Sequence, residues 1–402
     1  MNDDMVAPPR DADATAFRAA AVSVTEATVA DRADWHRFLA AHPAGDPLQE
    51  WAWSEVTAVG GERPVHLIAR DASRAVRGVA QVLVRPTSLG RSVLYVPHGP
   101  VWDWHDPAGD AALEGLLKAI RETGRREHGI VAKVDPRAAM PEGEAGSEAG
   151  TEASTEASTE ATILSADLIQ AALECRGLRP ARVDLQARTT RLLDLRPGPD
   201  ALLASFDKDT RNLVRRSARE GVTAHCVRDA DHAAYGTFAG LLAATSARGG
   251  FHSRSIEAFE RLADVFAPSG DAYLVVAELA GRPIAGCLAL VTGRRAFYLY
   301  AASLREESLR HANAPYLALW TLCQALVADG VEWLDLWGVA EADDPTADPE
   351  WAGFSLFKRG FGGVRLVHPR AMDMVISPPW YRLRDWRERR AIKPASAPNK
   401  DR

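Results

Sequence analysis

The stretch Ala314–Ala328, APYLALWTLCQALVA, constrains the chain more than any other: it has helical spacing and no charged side chain in fifteen residues. A helix that is apolar nearly all round has no face to give to water, so it belongs in an interior. Asn313 before it, Pro315 in its first turn and Gly330 beyond its end mark its limits. Upstream, AYLVVAELAGRPIAGCLALVTGRRAFYLYAAS reads as three strands joined by tight glycine-containing turns, and VEWLDLWGV downstream reads as a fourth. The helix is thus expected against a sheet that the same segment supplies.

The coarse order recurs nearer the N-terminus. HLIARD, RGVAQVLVRP and SVLYVPHGPVWD have strand character, DAALEGLLKAIRETGRREHG has helical spacing, and IVAKVDP is again a strand. Three strands, a helix and a strand is the order of an acyltransferase core of the GNAT type, a likeness of fold that fixes no function. Since 402 residues exceed what one core usually serves, the economical reading is an α/β (α+β) chain of two tandem GNAT-like domains. The second is expected over 189–365. It opens with the strand RTTRLLDLRP and one helix, DALLASFDKDTRNLVRRSAREGV, stopped by Gly221, and a further helix is read around SIEAFERLADVF. Between the units, ADLIQAALECRGLRPAR reads as a helix with Gly177 near its end. Residues 139–163 read as a disordered acidic insert: TEAS-type repeats with no large apolar side chain cannot offset their ordering entropy. Six glutamates within it account for the whole net charge of −6, which leaves the folded part balanced. Residues 1–20 and the basic 393–402 read as flexible ends.

Several function classes fall away. No uncharged apolar run approaches the roughly 18 residues that cross a bilayer, and the start lacks a signal-peptide pattern, so a cytoplasmic location is expected. Cys175, Cys226, Cys287 and Cys323 lie far apart without a CxxC pair, and GxSxG, HExxH, P-loop and GxGxxG patterns are missing. No metal is expected. AASLREESLRHANAP lacks the glycine-rich basic loop that would hold a CoA pyrophosphate at a helix N-terminus, so acetyl-CoA is a poor donor.

Three groups of residues could carry chemistry. Arg211, Arg215 and Arg219 recur at i, i+4 and i+8, a stripe that either neutralises nucleic-acid phosphates or is a solvated face paired with Asp207, Asp209 and Glu220. The stretch from Arg382 to Arg402 carries eight basic and three acidic residues with Trp386 interleaved, and Trp380 and Tyr381 precede it. Basic charge with aromatics suits an RNA backbone and its unstacked ends, with Arg387 and Arg390 as contacts. In WAGFSLFKRGFGG, Lys358 stands in an aromatic frame between Phe357 and Phe361. Read as a lysine at an apolar strand end, it could stabilise an oxyanion or clamp a phosphate; a snorkelling surface lysine is the other reading. Asp335 and Asp103, near strand ends, could accept a proton or cap backbone.

PLQEWAW, VPHGPVWD, KVDP, SFDKDTRNLVRRSAREGV, YLYAAS, GVEWLDLWGV and FKRGFGG, in this order, resemble the FemABX aminoacyltransferases, which build the cross-bridge of bacterial peptidoglycan. The resemblance covers most of the chain. It implies that the final segment, 366–392, returns to the first domain of 21–188, and that a peptidoglycan precursor, lipid II or UDP-MurNAc-pentapeptide, binds between the units. Aminoacyl-tRNA would be the co-substrate, with neither metal nor cofactor and no DNA partner, at the inner face of the membrane if the protein associates with it peripherally. Lys358 and Phe357 would lie at the aminoacyl end of the tRNA. Arg254 of FHSR would bind precursor phosphate, and Tyr300, or alternatively Tyr298, would line the groove. Two positions depart from the pattern: Thr57 stands where relatives often have a lysine, and Ala258, followed by Phe259, where they often have a tyrosine. The helical-hairpin arm of some members is not expected, because VTAHCVRD follows Gly221 directly. An aminoacyl ester is already activated, so orientation can supply most of the rate and no Ser-His-Asp set is needed. Two other functions fit the same features: an acyl- or aminoacyltransferase of small-molecule biosynthesis, and a precursor-binding protein without activity.

Overall fold

The computed structural model describes residues 22–104, 106–138, 165–249, 253–339 and 352–391. The acidic insert and both expected flexible ends lie outside the described residues. Two sheets carry the fold. In the first, β2 (Arg63–Arg70), β3 (Val76–Pro86) and β4 (Ser92–Val96) run antiparallel, α3 (Pro107–Arg126) crosses over, and β6 (Gly129–Val134) returns parallel to β4. In the second, β10 (Ala272–Leu279), β11 (Arg282–Thr292) and β12 (Arg295–Ser303) run antiparallel, α9 (Ala314–Ala328) crosses over, and β13 (Trp333–Asp335) returns parallel to β12. The chain therefore contains two GNAT-like units in tandem.

The composition of α9 is explained by what lies on either side of it. Ala318, Leu319, Leu322, Cys323 and Leu326 are buried in one cluster with Val275, Ala277, Cys287 and Ala289 of the sheet. Two further helices, α5 (Pro199–Ser205) and α6 (Lys208–Arg219), contact α9 as well, and Trp320 packs edge-on to Phe206 with ring centres 5.7 Å apart. With a sheet and helices around it, α9 has almost no polar position to fill.

The opposite face of the second sheet is covered by α7 (His232–Gly249), α8 (Ile256–Phe266) and also α2 (Trp51–Ala58). Trp53 and Val56 of α2 are buried with Phe238, Phe259 and Leu262, so a helix read as part of 21–188 completes the core of the second unit. The return path is likewise less sharp than a boundary at 365/366. Strand β14 (Val364–Val367) still pairs with β8 (Thr189–Asp194) of the second sheet, and only β15 (Met372–Val375) enters the first, beside β6.

Three local expectations change. The single helix read over 201–221 is two, because Phe206 is buried against Trp320 and Phe361 and the Asp207 amide donates to the Gly360 carbonyl. Asn313 adopts a left-handed backbone and gives no side-chain cap; its amide donates instead to the His311 carbonyl. Lys358 lies in the last turn of α10 (Ala352–Arg359), not on a strand.

The glycines that follow Lys358 have a packing reason. Gly363 has φ of +84°, and a Cβ there would come within 2.5 Å of the Leu192 carbonyl oxygen on β8. Gly281 has a similar φ, +75°, but open space around it. Gly281→Ala should cost only the left-handed penalty of about 1–2 kcal/mol. Gly363→Ala should cost clearly more in thermal unfolding, and equal losses would show that the close approach to β8 is not tight.

Candidate functional site

The site begins where the second sheet forks. β12 and β13 pair only from Arg295↔Trp333 to Phe297↔Asp335. Beyond that point β12 continues on β11, while the chain after β13 turns to β8, with the Leu336 amide donating to the Arg191 carbonyl and the Val339 amide to that of Thr189. At the fork β12 is also bulged: Tyr298 faces Ala289 and Tyr300 faces Leu288, leaving Leu299 unpaired. Residues i and i+2 of a regular strand share a face, and an inserted residue reverses this. Tyr298 therefore enters the core around α9, and Tyr300 packs with the helices on the other side. The two tyrosines read as alternatives for one role stand on opposite faces.

Each face has its own cation. On the α9 side, Lys358 is 8% exposed; its Nζ donates to the Gly338 carbonyl at 2.8 Å and lies 5.8 Å from the centre of the Tyr298 ring. Burial pushes its ammonium down to about 8, against the pull of the Asp335 carboxylate. It thus remains charged at neutral pH, and among the described residues it has donors left beyond the one given to Gly338. Phe357 turns toward Tyr316 and Phe361, at ring distances of 4.9 and 5.2 Å, and helps wall the site as part of the core.

On the other face, Arg254 precedes α8. Its Nε donates to the Tyr300 hydroxyl at 2.8 Å, and its guanidinium lies 4.7 Å from the centre of the Trp53 ring on α2. Among the described residues its two terminal nitrogens have no hydrogen-bond partner, which leaves a planar fork suited to phosphate or carboxylate. This cation lies at the junction of the units, because α2 is the helix that passes from one to the other.

Between the two faces runs a buried polar cluster of which the sequence pointed to Asp335 alone, here paired with Arg137. Arg137, just after β6, pairs with Asp335 and, at 3.2 Å, with Asp46. His98 reaches Asp46 at 2.8 Å, and His368 Nε2 lies 2.6 Å from Arg137 Nη2. Burial would raise the Asp46 carboxyl, but His98 and Arg137 hold it below the usual range. Burial, with Arg137 beside it, keeps His368 neutral. A crevice too narrow to hold a water molecule lies beside the cluster, bordered by His98, Asp135, Arg137 and Arg188. Asp135 is pushed up to about 6, chiefly by burial. Arg137 follows the KVDP stretch directly and Asp335 lies in GVEWLDLWGV, so the quoted motifs were the available signal.

The remaining expected residues are dispersed. Thr57 is buried in α2, its hydroxyl donating to the Ser54 carbonyl, and offers no surface to a ligand. Ala258 is buried in the first turn of α8. Arg211 closes the end of α5 by donating to the carbonyls of Ala204 and Phe206, so it does not belong to an exposed stripe; Arg215 and Arg219 are exposed. Arg387 is exposed on α11 (Pro378–Ala391), a helix near β6 of the first sheet, whereas α6 packs on α9 of the second. The Arg390 side chain lies outside the described ones. Asp103 lies 3.5 Å from Arg77, a structural ion pair.

A family model described as the FemAB family matches residues 30–282 and 280–386. The chain belongs to the FemAB family. Lipid II:glycine glycyltransferase of Staphylococcus saprophyticus is 28% identical to this FemAB-family chain over 248 residues, covering 61% of it and 54% of the relative. The Staphylococcus aureus protein of the same description is 29% identical over 244 residues, covering 60% and 52%. The chain thus spans about half the length of the curated relatives it matches. Among solved structures, that of FemX superposes with a TM-score of 0.70 at 20% identity, covering 90% of this chain and 99% of that one. L-PGS from Bacillus licheniformis gives 0.52 at 11% identity, covering 90% and 97%. These structural likenesses are likenesses of fold.

The depressed Lys358 has a thermodynamic signature. Between about pH 8 and its ordinary 10.5 the unfolded chain holds a proton that the folded chain has released, so folding becomes more favourable as pH rises through that window. Relative to Lys358→Met, the wild type should gain up to about 3 kcal/mol from pH 7.5 to 10.5 in denaturant unfolding. A pH-independent difference would contradict a buried, partner-poor ammonium.

Proposed function

We propose that this FemAB-family chain is an aminoacyltransferase that moves an amino acid from aminoacyl-tRNA to an amino group on the stem peptide of a peptidoglycan precursor. The observation that carries the reading is the buried Lys358 cation at the fork of the second sheet. In this account the attacking amine adds to the ester carbonyl, the oxygen becomes anionic, and the ammonium of Lys358 stabilises that charge where water is scarce. The tetrahedral intermediate then expels the ribose oxygen, which takes up, through solvent or a nearby carboxylate, the proton that the amine has lost. Arg254, held by Tyr300 and Trp53, binds the precursor phosphate at the junction of the units. The relatives described as lipid II:glycine glycyltransferases support a peptidoglycan precursor as acceptor. No helix among the described residues is long and apolar enough to cross a membrane; a lipid-linked acceptor would be met at the membrane's inner face.

The test combines the protein with a muramyl-pentapeptide nucleotide or lipid II and charged tRNA, and weighs the product. An added amino-acid mass that disappears after RNase treatment is expected; gain with acyl-CoA alone, or binding without gain, would overturn the proposal. Lys358→Ala should lower kcat by about 10²–10³ with a small change in precursor KM. Arg254→Ala should show the reverse, a precursor KM raised about tenfold or more with kcat little changed. Interchanged effects would refute the assignment of the two faces.

A further inference from the structure

We propose that Arg137 and Asp335 are positioning residues: their ion pair, formed across the two units, holds the turn at Trp337 that presents the Gly338 carbonyl to Lys358. The proposal rests on the reading of Lys358 given above. Asp335 is fully buried at the end of β13. One carboxylate oxygen pairs with Arg137; the other accepts the Trp337 amide at 2.6 Å and lies 2.5 Å from the Thr190 hydroxyl, which is also 3.2 Å from the Trp337 carbonyl oxygen. Trp337 needs such holding. Its φ is +59°, a left-handed conformation that a bulky residue adopts only when its surroundings impose it. Its ring is wedged between His98, 4.8 Å away, and Phe297, 6.4 Å away, and the Arg137 guanidinium lies 5.2 Å from its centre.

The turn determines where the next carbonyl points. After Trp337, Gly338 offers its oxygen to Lys358 and the Val339 amide returns to Thr189. If the turn relaxed to an ordinary backbone, Lys358 would lose its acceptor and its fixed position. The anchor of this arrangement belongs to the other unit: Arg137 follows β6, and through Asp46 and His368 it also gathers the segment before α2 and the link between β14 and β15. The docking of the first unit on the second thereby sets the geometry of the cation in the second.

The test is a double-mutant cycle on the full chain in the mass-gain assay. Asp335→Asn retains acceptors for Trp337 and Thr190 but loses the ion pair; it should lower kcat about 30-fold while precursor KM changes less than threefold. In the Lys358→Ala background the same substitution should change kcat less than twofold, because a residue acting through Lys358 has nothing left to position. Arg137→Lys should restore part of the activity that Arg137→Met loses. If Asp335→Asn disturbs folding, Thr190→Val, which is nearly isosteric and removes the β8 hydroxyl that meets Asp335 and the Trp337 carbonyl, is read in the same cycle with an expected fivefold loss. Equal losses in both backgrounds would overturn the positioning role and leave the role of Lys358 standing, whereas full activity of Lys358→Ala alone would overturn the catalytic reading.

Discussion

A buried ammonium that, among the described residues, has no carboxylate in contact is the constraint on which the arrangement depends. Burying a charge is costly unless dipoles or countercharges answer it, and at the fork of the second sheet one backbone carbonyl, one aromatic face and a nearby carboxylate answer it only in part. In the proposed reaction that incomplete satisfaction is what Lys358 would bring to the chemistry. Donors that the protein does not consume are available to an anion that forms during a reaction, and they need not be pulled from a better partner first.

In the first unit a break between β3 and the chain after β4 is filled by a neutral side chain. The connection from Pro97 to Pro100 interrupts the strand there, and the side chain of Gln49 closes the gap: its Nε2 donates to the Pro97 carbonyl at 2.5 Å and its Oε1 accepts the Gln81 amide at 2.9 Å. Gly99 is needed beside it, since a Cβ would fall 2.6 Å from the Gln49 amide. A neutral amide with its hydrogen bonds satisfied is a structural plug. The PLQEWAW stretch thus ties the N-terminal segment to the sheet, and Trp51 next to Gln49's neighbour Glu50 stacks on His66 with ring centres 3.7 Å apart.

Much of the fold was legible because it follows from local pattern. The uncharged Ala314–Ala328 stretch required burial, and the repeated strand and helix order required two units. What was not legible depends on contacts distant in sequence. The interruption of one expected helix at Phe206 comes from Trp320, Phe361 and the Gly360 carbonyl; Arg211 belongs to a helix end that exists only because of that break. Tyr298 and Tyr300 share a face by alternation, and only the bulge at Leu299 separates them. Arg137 has no periodicity to mark it; its importance lies in where β6 ends relative to β13. Lys358 was recognisable by its aromatic and glycine neighbours, although their helical geometry was not.

In the proposed reaction an acyl carbonyl approaches Lys358 through the fork while an anion rests on Arg254 at the junction of the units. A crystal structure with a muramyl-pentapeptide nucleotide and a non-hydrolysable aminoacyl-RNA analogue would test it most directly. The analogue's carbonyl oxygen is expected within about 3 Å of Lys358 Nζ, hydrogen-bond range for a charged donor, and a precursor phosphate on the terminal nitrogens of Arg254. An analogue bound elsewhere, with Lys358 still enclosed against Gly338 and out of reach of any ligand atom, would contradict it.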